Sequence, residues 1–213
     1  MKVTKYGHCC LLIEKNDTRI LTDPGSFTTE QNNVKNIDVV LITHEHQDHF
    51  HIGSLKNILK NNPHVKIITN KGVGKLLDKE DIKYELVEDG QHAKIKNVLI
   101  EGFGIKHAEM HSSIPQSENT GYFIDNRLFY PGDAFTNPGK NVEVLAWPVA
   151  GPWMKIGEAL DYALELRPKT CFPVHDAVIA EGMRGFAGVL AKNILEPKGI
   201  SFIQMNDGDT REF

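Results

Sequence analysis

Thr43-His44-Glu45-His46-Gln47-Asp48-His49 is the stretch that decides how the rest of the chain is interpreted. It directly follows the apolar run at residues 37–42, which is short, rich in β-branched residues and typical of a buried central strand. The three histidines and the aspartate therefore fall on the loop at the carboxyl end of that strand, where open α/β sheets place their functional groups. Neutral imidazole and carboxylate are ligands that zinc prefers. The stretch predicts a metal site on this loop.

The composition predicts one globular domain. The chain has 213 residues, of which 40% are hydrophobic and 24% are charged, and we expect a single domain over residues 1–213. A net charge of −4 argues against broad electrostatic binding to nucleic acid or to an anionic membrane surface. No apolar run approaches the roughly 20 residues of a membrane-spanning helix, and no signal peptide is visible. The three cysteines form no disulfide framework, which favours a cytoplasmic location.

Hydrophobic periodicity predicts an α/β protein. Residues 3–14 and 19–22 have the pattern of two strands, joined by turn chemistry at Asn16-Asp17. The polar segment 26–36 is expected to form a loop or a short helix. Further strands are predicted at residues 65–69, 84–87, 92–95, 98–103, 120–124, 128–130, 142–147, 170–174 and 200–205. Helices are predicted at residues 52–61, 70–78, 156–166 and 178–195.

The loop at residues 43–49 cannot complete a site for two ions alone, because each zinc ion takes three or four protein ligands. His44 with His46 would need another nitrogen, and Asp48 with His49 would need one as well. Histidines at the ends of other predicted strands are the candidates for the missing nitrogens. His107 follows the strand at 98–103, and His175 follows the strand at 170–174. His111 is the alternative to His107, and the residues alone leave that choice open. His8 lies in a Gly-His-Cys segment, where a simple hydrogen-bonded histidine is the plainer interpretation.

The pattern His-x-His-x-Asp-His after a hydrophobic strand resembles the signature of the metallo-β-lactamase superfamily. The resemblance extends from Asp23-Pro24-Gly25 through Gly132-Asp133 to Pro173-Val174-His175. It implies a four-layer αβ/βα sandwich, in which two mixed β-sheets pack face to face with helices outside. It also implies that Asp133 bridges two divalent ions and that Asp23 supports the metal loop from beneath. The implied metal ligands are His44, His46, Asp48, His49, His107, Asp133 and His175.

A binuclear site of this kind implies hydrolysis. Water bridging two divalent cations loses its proton near neutral pH, so the expected nucleophile is a bridging hydroxide, and the same ions polarise the substrate. Asp48 or His111 would carry the proton to the leaving group. Zinc is the expected metal, with manganese or iron as alternatives. The chain has no Gly-x-Ser-x-Gly motif for a serine nucleophile.

The substrate is less well specified. The chain is similar to small, stand-alone superfamily members related to ascorbate-6-phosphate lactonase, and we expect a lactone, ester or amide of a small anionic metabolite. A phosphodiester is the second choice, although the added nucleic-acid modules of related ribonucleases are lacking. Trp153 could pack against the substrate and Lys155 could pair with its anionic group; a hydrophobic contact and a solvated lysine are the alternative. A diiron redox centre or a metal-binding-only protein represents a different class, and a homo-oligomer is left open.

Overall fold

The computed structural model describes all of residues 1–213 and contains fourteen strands and four α-helices. The strands are β1 (Lys2–Gly7), β2 (Cys10–Lys15), β3 (Thr18–Thr22), β4 (Val39–Leu41), β5 (Lys66–Thr69), β6 (Glu85–Leu86), β7 (His92–Ile95), β8 (Val98–Phe103), β9 (Gly121–Ile124), β10 (Leu128–Tyr130), β11 (Val144–Pro148), β12 (Thr170–Val174), β13 (Ser201–Phe202) and β14 (Thr210–Glu212). The helices are α1 (Ile52–Asn61), α2 (Lys71–Asp78), α3 (Ile156–Leu166) and α4 (Phe186–Ile194). Short 3-10 turns lie at Glu30–Asn33, Glu181–Met183 and Glu196–Lys198.

The strands form two seven-stranded mixed sheets. The first has the order β14-β1-β2-β3-β4-β5-β6, and the second has the order β13-β12-β11-β10-β9-β8-β7. Each sheet combines antiparallel hairpins with a run of parallel strands: β3 to β6 in the first sheet and β10 to β13 in the second. Parallel neighbours end at the same sheet edge, so the loops that follow β4, β11 and β12 can carry one site.

Three buried clusters define the layers. A cluster of 22 buried residues joins side chains from both sheets, among them Ile13 and Leu41 from the first and Phe172 from the second. A second cluster packs α3 and α4 on the outer face of the second sheet, and a third packs α1 and α2 on the outer face of the first. Burial of this apolar surface is the main favourable term in folding. The predicted four-layer αβ/βα sandwich is confirmed.

Local sequence signals placed several elements correctly. The bounds of α1 and α3 are those predicted, and Asn70 caps α2 by accepting a hydrogen bond from the backbone N–H of Val73 at 3.2 Å. Both residues of the Asn16-Asp17 turn have positive φ, as a two-residue type I′ hairpin requires.

Two expectations were wrong, and one strand was not expected at all. Residues 3–14 form two strands because the chain turns at His8, whose φ is +50°. The helix predicted from residue 178 begins only at Phe186, after a segment containing Gly182 and Gly185, residues of low helix propensity. The strand β14 was not predicted, since it is polar and exposed and exists only through its pairing with β1.

None of the four helices is both long enough and apolar enough to cross a membrane.

Candidate metal centre

The metal loop, residues 43–49, begins two residues after the end of β4 and is held by neighbours from both sheets. The backbone oxygen of Thr43 accepts hydrogen bonds from Nδ2 of Asn70 at 2.7 Å and from the backbone N–H of Thr120 at 3.0 Å. Asn70 directly follows β5 in the first sheet, and Thr120 directly precedes β9 in the second. The carbonyl of Thr43 therefore joins the two sheets at their common edge. The loop is therefore placed by tertiary contacts that involve both halves of the sandwich.

A glycine lets a second loop approach the metal loop closely. A Cβ atom at Gly25 would lie 1.8 Å from the backbone oxygen of Asp48, which no side chain can tolerate. The backbone N–H of Ser26 also donates to the oxygen of Gln47 at 2.8 Å. The Asp23-Pro24-Gly25 segment thus supports the metal loop directly, because only a residue without a side chain fits there.

The structure brings most predicted ligands together. His44, His46, His107 and Asp133 form one group whose ligand atoms all lie within 4.8 Å of one another. His49 and His175 belong to a second group with His8 and Cys9, defined by the same distance. Oδ2 of Asp48 lies 3.4 Å from Nε2 of His175 and 3.7 Å from Nε2 of His49, which places this carboxylate beside the second group.

Asp133 lies between the two groups. Its carboxylate oxygens are 2.9 Å from Nε2 of His175 and 3.1 Å from Nε2 of His49 on one side. On the other side Oδ2 is 3.4 Å from Nε2 of His107 and 3.9 Å from Nε2 of His44. One carboxylate thus faces imidazoles of both groups, the position that a bridging ligand needs.

Polar atoms at this centre are buried without hydrogen-bond partners, which costs roughly 1–3 kcal/mol for each group. The imidazole nitrogens among them lie close to the carboxylate of Asp133, but they are not oriented to form hydrogen bonds with it. A divalent cation would satisfy them together, and imidazole with carboxylate is the donor set that zinc and iron accept. The residues present therefore fit a metal site. The atoms are Nε2 of His44, His49, His107 and His175, and Oδ1 of Asp133.

Hydrogen bonds on the opposite ring nitrogen orient the imidazoles. Nδ1 of His49 lies 2.6 Å from Oδ2 of Asp23, Nδ1 of His107 lies 2.6 Å from the backbone oxygen of Ala108, and Nδ1 of His44 lies 3.0 Å from Oγ1 of Thr43. These partners hold the three rings with Nε2 facing the centre, as the outer contacts of metal-binding histidines do.

The charges at the centre are strongly coupled. Burial alone raises the pKa of the Asp133 carboxyl, but the nearby His49 and His175 outweigh it and hold that pKa well below its usual value. Burial lowers the pKa of His175, yet Asp133 outweighs it and raises the pKa to about 10. Burial lowers the pKa of His44 well below its ordinary value. The carboxylate is thus ionised and attracts positive charge, which protons on the imidazoles or a divalent cation can supply.

Asp48 is held in its ionised form as well. Burial by itself raises the pKa of its carboxyl, but the nearby His175 and the hydrogen bond from His8 outweigh burial and hold that pKa well below its ordinary value. About a fifth of this side chain, 21%, is accessible to solvent. Asp48 is therefore a ligand candidate that a substrate can also reach.

Two predicted residues lie on the surface. His111 is exposed, and its Nδ1 atom contacts Oγ of Ser113 at 2.7 Å, so the structure assigns it to neither group of ligands. Lys155 is exposed and its backbone N–H donates to Glu158 at the start of α3.

Trp153 is largely buried, and its Nε1–H donates to Oδ2 of Asp133 at 2.7 Å. The polar edge of Trp153 thus binds the carboxylate of Asp133, a candidate ligand.

Sequence reasoning missed several contacts at this centre. Oδ2 of Asp23 also accepts from the hydroxyls of Thr43, at 2.7 Å, and Tyr130. The side-chain amide of Asn119 accepts from the backbone N–H of Asp133 at 3.1 Å. His8 contacts Asp48, although its segment carried no metal-site spacing. No local pattern predicts these contacts, because each joins residues that are distant in the sequence.

Comparisons with known proteins agree with this geometry. The sequence profile of the β-lactamase superfamily domain matches residues 2–175. Protein Rv0786c of Mycobacterium tuberculosis is 36% identical over 190 residues, covering 87% of this chain and 88% of that protein. A UPF0173 metal-dependent hydrolase of Geobacillus thermodenitrificans is 29% identical over 183 residues, covering 68% of this chain and 80% of its own.

A solved structure shows the same fold. The metallo-β-lactamase fold protein YhfI of Bacillus subtilis superposes with a TM-score of 0.74 at 17% identity, over 99% of this chain and 98% of that one. The profile match spans most of the chain, and the Mycobacterium relative is similar over nearly its full length. The chain therefore belongs to the β-lactamase superfamily, has the metallo-β-lactamase fold, and has metal-dependent hydrolases among its relatives.

Proposed function

We propose that this protein is a binuclear, zinc-type hydrolase whose substrate is a small molecule. The observation that carries the proposal is the convergence of four buried imidazole nitrogens on one buried carboxylate, without hydrogen-bond partners for these atoms. Evolution retains such a costly arrangement where a ligand offsets it. The residues that would hold two divalent ions are His44, His46, Asp48, His49, His107, Asp133 and His175.

Bound at these residues, divalent ions supply an activated water nucleophile and neutralise the negative charge that develops on the substrate. The chain itself fixes the ligands in place. Asp23 and Thr43 orient the imidazoles from the interior, and Trp153 holds one oxygen of Asp133. Ligands that are already ordered need no rearrangement during turnover, which is the main source of electrostatic stabilisation in such sites.

Asp48 is the proposed proton carrier. Its carboxylate is ionised, lies beside His49 and His175, and is in part accessible to solvent. A proton accepted at its free oxygen can pass to a leaving group that enters from the solvent side. His111 is the alternative carrier; its side chain is exposed, and its Nδ1 atom contacts the hydroxyl of Ser113.

The proposed substrate is a lactone, ester or amide of a small anionic metabolite. Trp153 lies against the ligand shell, with its ring 5.9 Å from that of His107 and 6.0 Å from that of His175. Lys155, two residues on, is exposed and could meet a negative group on the substrate. These two residues define the side of the centre on which we place the bound molecule.

The experiment that tests the function joins metal analysis to a substrate screen. Protein purified without added metal is analysed for zinc, iron and manganese, and the zinc-loaded form is assayed on lactones, carboxyl esters, amides and phosphodiesters. We expect two zinc ions per chain and hydrolysis of a lactone, ester or amide. The Asp133→Asn variant should lose the bound zinc and the hydrolytic activity. The His64→Asn variant should keep the zinc and the activity, because His64 is exposed and lies outside the centre.

Three results would overturn the proposal. Two iron ions per chain with a visible absorption band would indicate a diiron redox protein. Full metal occupancy without turnover of any substrate would indicate a binding protein. Hydrolysis restricted to phosphodiesters would replace the substrate class and leave the metal site in place.

A further inference from the structure

His8 occupies an uncommon, left-handed backbone conformation. It lies between β1 and β2 with φ of +50° and is 1% exposed. A left-handed conformation at a residue other than glycine costs of the order of 1–3 kcal/mol and persists where surrounding contacts determine it. Histidine is among the residue types enriched in this conformation, as are the asparagine and aspartate of the Asn16-Asp17 hairpin. The role of His8 therefore follows from the contacts of its side chain.

The polar contacts of the His8 side chain lead to Asp48 and to the turn that carries His175, a member of the second ligand group. Its Nε2 atom is 3.1 Å from Oδ2 of Asp48. The backbone N–H of Ala177 donates to its Nδ1 atom at 3.3 Å, and the backbone N–H of His175 donates to its carbonyl oxygen at 3.3 Å. The rings of His8 and His175 are 4.2 Å apart. One residue therefore joins the carboxylate of the metal loop to the turn after β12.

The contact with Ala177 decides which nitrogen of His8 carries the proton. An N–H group donates to Nδ1, so Nδ1 has no hydrogen, and the proton of the neutral ring is on Nε2. Nε2–H then donates to Oδ2 of Asp48, the same oxygen that faces His49 and His175. A nitrogen that carries a proton cannot coordinate an ion. In this tautomer His8 serves Asp48 as a hydrogen-bond donor, and we assign it that role although it lies within the second group by distance.

We propose that His8 is a positioning residue, which holds the Asp48 carboxylate and the His175 turn in one arrangement for the second ion. The inference rests on the proposed metal site. Partners of this kind, one contact removed from the ion, typically change metal affinity 10–100-fold when they are removed. The expected effect of losing His8 is therefore a weaker second ion with the number of binding sites unchanged.

Two substitutions test the proposal. His8→Asn suits the left-handed backbone but is too short to reach Asp48 with the same geometry, whereas His8→Gln keeps an N–H group on a longer side chain. His64→Asn is the control. Zinc affinity is measured by competition with a chromogenic chelator, and stoichiometry by elemental analysis at saturating zinc. We expect two ions in every variant, about a 10–100-fold weaker second ion in His8→Asn, and partial recovery in His8→Gln.

Other outcomes overturn it. A single ion bound at saturation by both His8 variants, with a changed cobalt spectrum, would make His8 a ligand. A lower melting temperature with unchanged zinc affinities would make it a purely structural residue. Nitrogen NMR of the zinc-loaded protein provides a second measurement: we expect the Nε2–H tautomer of His8, and the Nδ1–H tautomer would contradict the proposal.

The same experiments separate this inference from the proposed function. If the wild type binds two zinc ions and His8→Asn binds the second one more weakly, but no substrate is hydrolysed, only the proposed hydrolase activity would be overturned. Wild-type protein that binds no second ion would overturn both. If the His8→Asn variant still hydrolyses the substrate and its zinc affinity is unchanged, the proposed role of His8 would be overturned. The proposed function would not be affected.

Discussion

Nδ1 of His49 lies 2.6 Å from Oδ2 of Asp23, and neither side chain is accessible to solvent. The same carboxylate accepts from the backbone N–H of Thr43 at 2.8 Å, from the Thr43 hydroxyl, and from the hydroxyl of Tyr130. Asp23 has φ of +35°, so its backbone too is held in an uncommon conformation. A single buried aspartate thus orients one candidate ligand and the start of the metal loop in this member of the β-lactamase superfamily.

Replacement of Asp23 by asparagine should weaken metal binding without changing any ligand. An amide has one acceptor oxygen where the carboxylate has two, so the ring of His49 loses its anionic partner; we expect about a 10–100-fold loss of zinc affinity. Isothermal titration or chelator competition would measure it. Asp17→Asn, at an exposed aspartate that also has positive φ, should have wild-type affinity. Equal affinities for the two variants would contradict the role of Asp23.

His46→Ala should remove an ion and activity together. His46 belongs to the first ligand group, and its half-buried ring has Nε2 3.3 Å from Oγ of Ser117. We expect one zinc ion or none per chain and at least a 100-fold fall in kcat/KM, equivalent to roughly 2.7 kcal/mol or more. Ser117→Ala is the matched control, since it keeps the imidazole. Retention of two ions by His46→Ala would show that this residue is not a ligand.

His107→Ala and His111→Ala should differ in bound metal. His107 is buried with Nε2 3.4 Å from Asp133, whereas His111 is exposed. Elemental analysis should find a reduced zinc content in the His107 variant and full content in the His111 variant. The reverse order would reassign the ligand. If His111→Ala keeps its metal but loses turnover, His111 would replace Asp48 as the proton carrier.

The stability of the metal-free protein should fall as the pH rises above about 7. Asp133 raises the pKa of His175 from 6.5 to about 10 in the folded chain, and it shifts the pKa of His49 in the same direction. A raised folded-state pKa contributes stability that is complete below the unfolded value and is lost as pH rises through the folded value. Urea unfolding of chelator-treated protein at pH 7 and pH 9.5 would measure it.

His175→Asn is the control for this pH dependence. Asparagine tolerates the φ of +61° at that position, so the turn is kept while the titrating ring is removed. The loss of stability between pH 7 and pH 9.5 should be smaller in this variant than in the wild type. An identical loss would assign the pH dependence to other groups, such as the buried tyrosines and cysteines.

Gly25→Ala should displace the metal loop. The added Cβ atom would lie 1.8 Å from the backbone oxygen of Asp48, so one of the two loops has to move, and we expect lower stability together with weaker zinc binding. Gly157→Ala is the matched control, because its Cβ would meet no atom within 4 Å and it lies in α3. That variant should be as stable as the wild type or more stable, by up to about 1 kcal/mol. Thermal unfolding and zinc titration compare the pair.

Several elements were predictable because their signals are local. The bounds of α1 and α3 follow from apolar spacing that repeats every turn, and the hairpin at Asn16-Asp17 follows from residue types that accept positive φ. The division of residues 3–14 was not predictable in the same way. Apolar residues continue through the turn at His8, and that turn is held by contacts with Asp48 and Ala177.

The amino-acid sequence alone predicted the α/β class, the kinds of candidate ligand and the loop that carries most of them. These depend on residue types and on spacings of a few positions, which local geometry converts directly into structure. The tertiary structure alone decided which distant groups meet. Only the packing of two sheets shows that Trp153 binds Asp133 and that His8 joins the metal loop to the turn after β12. Such contacts depend on how the two halves approach, and no short stretch of sequence contains that information.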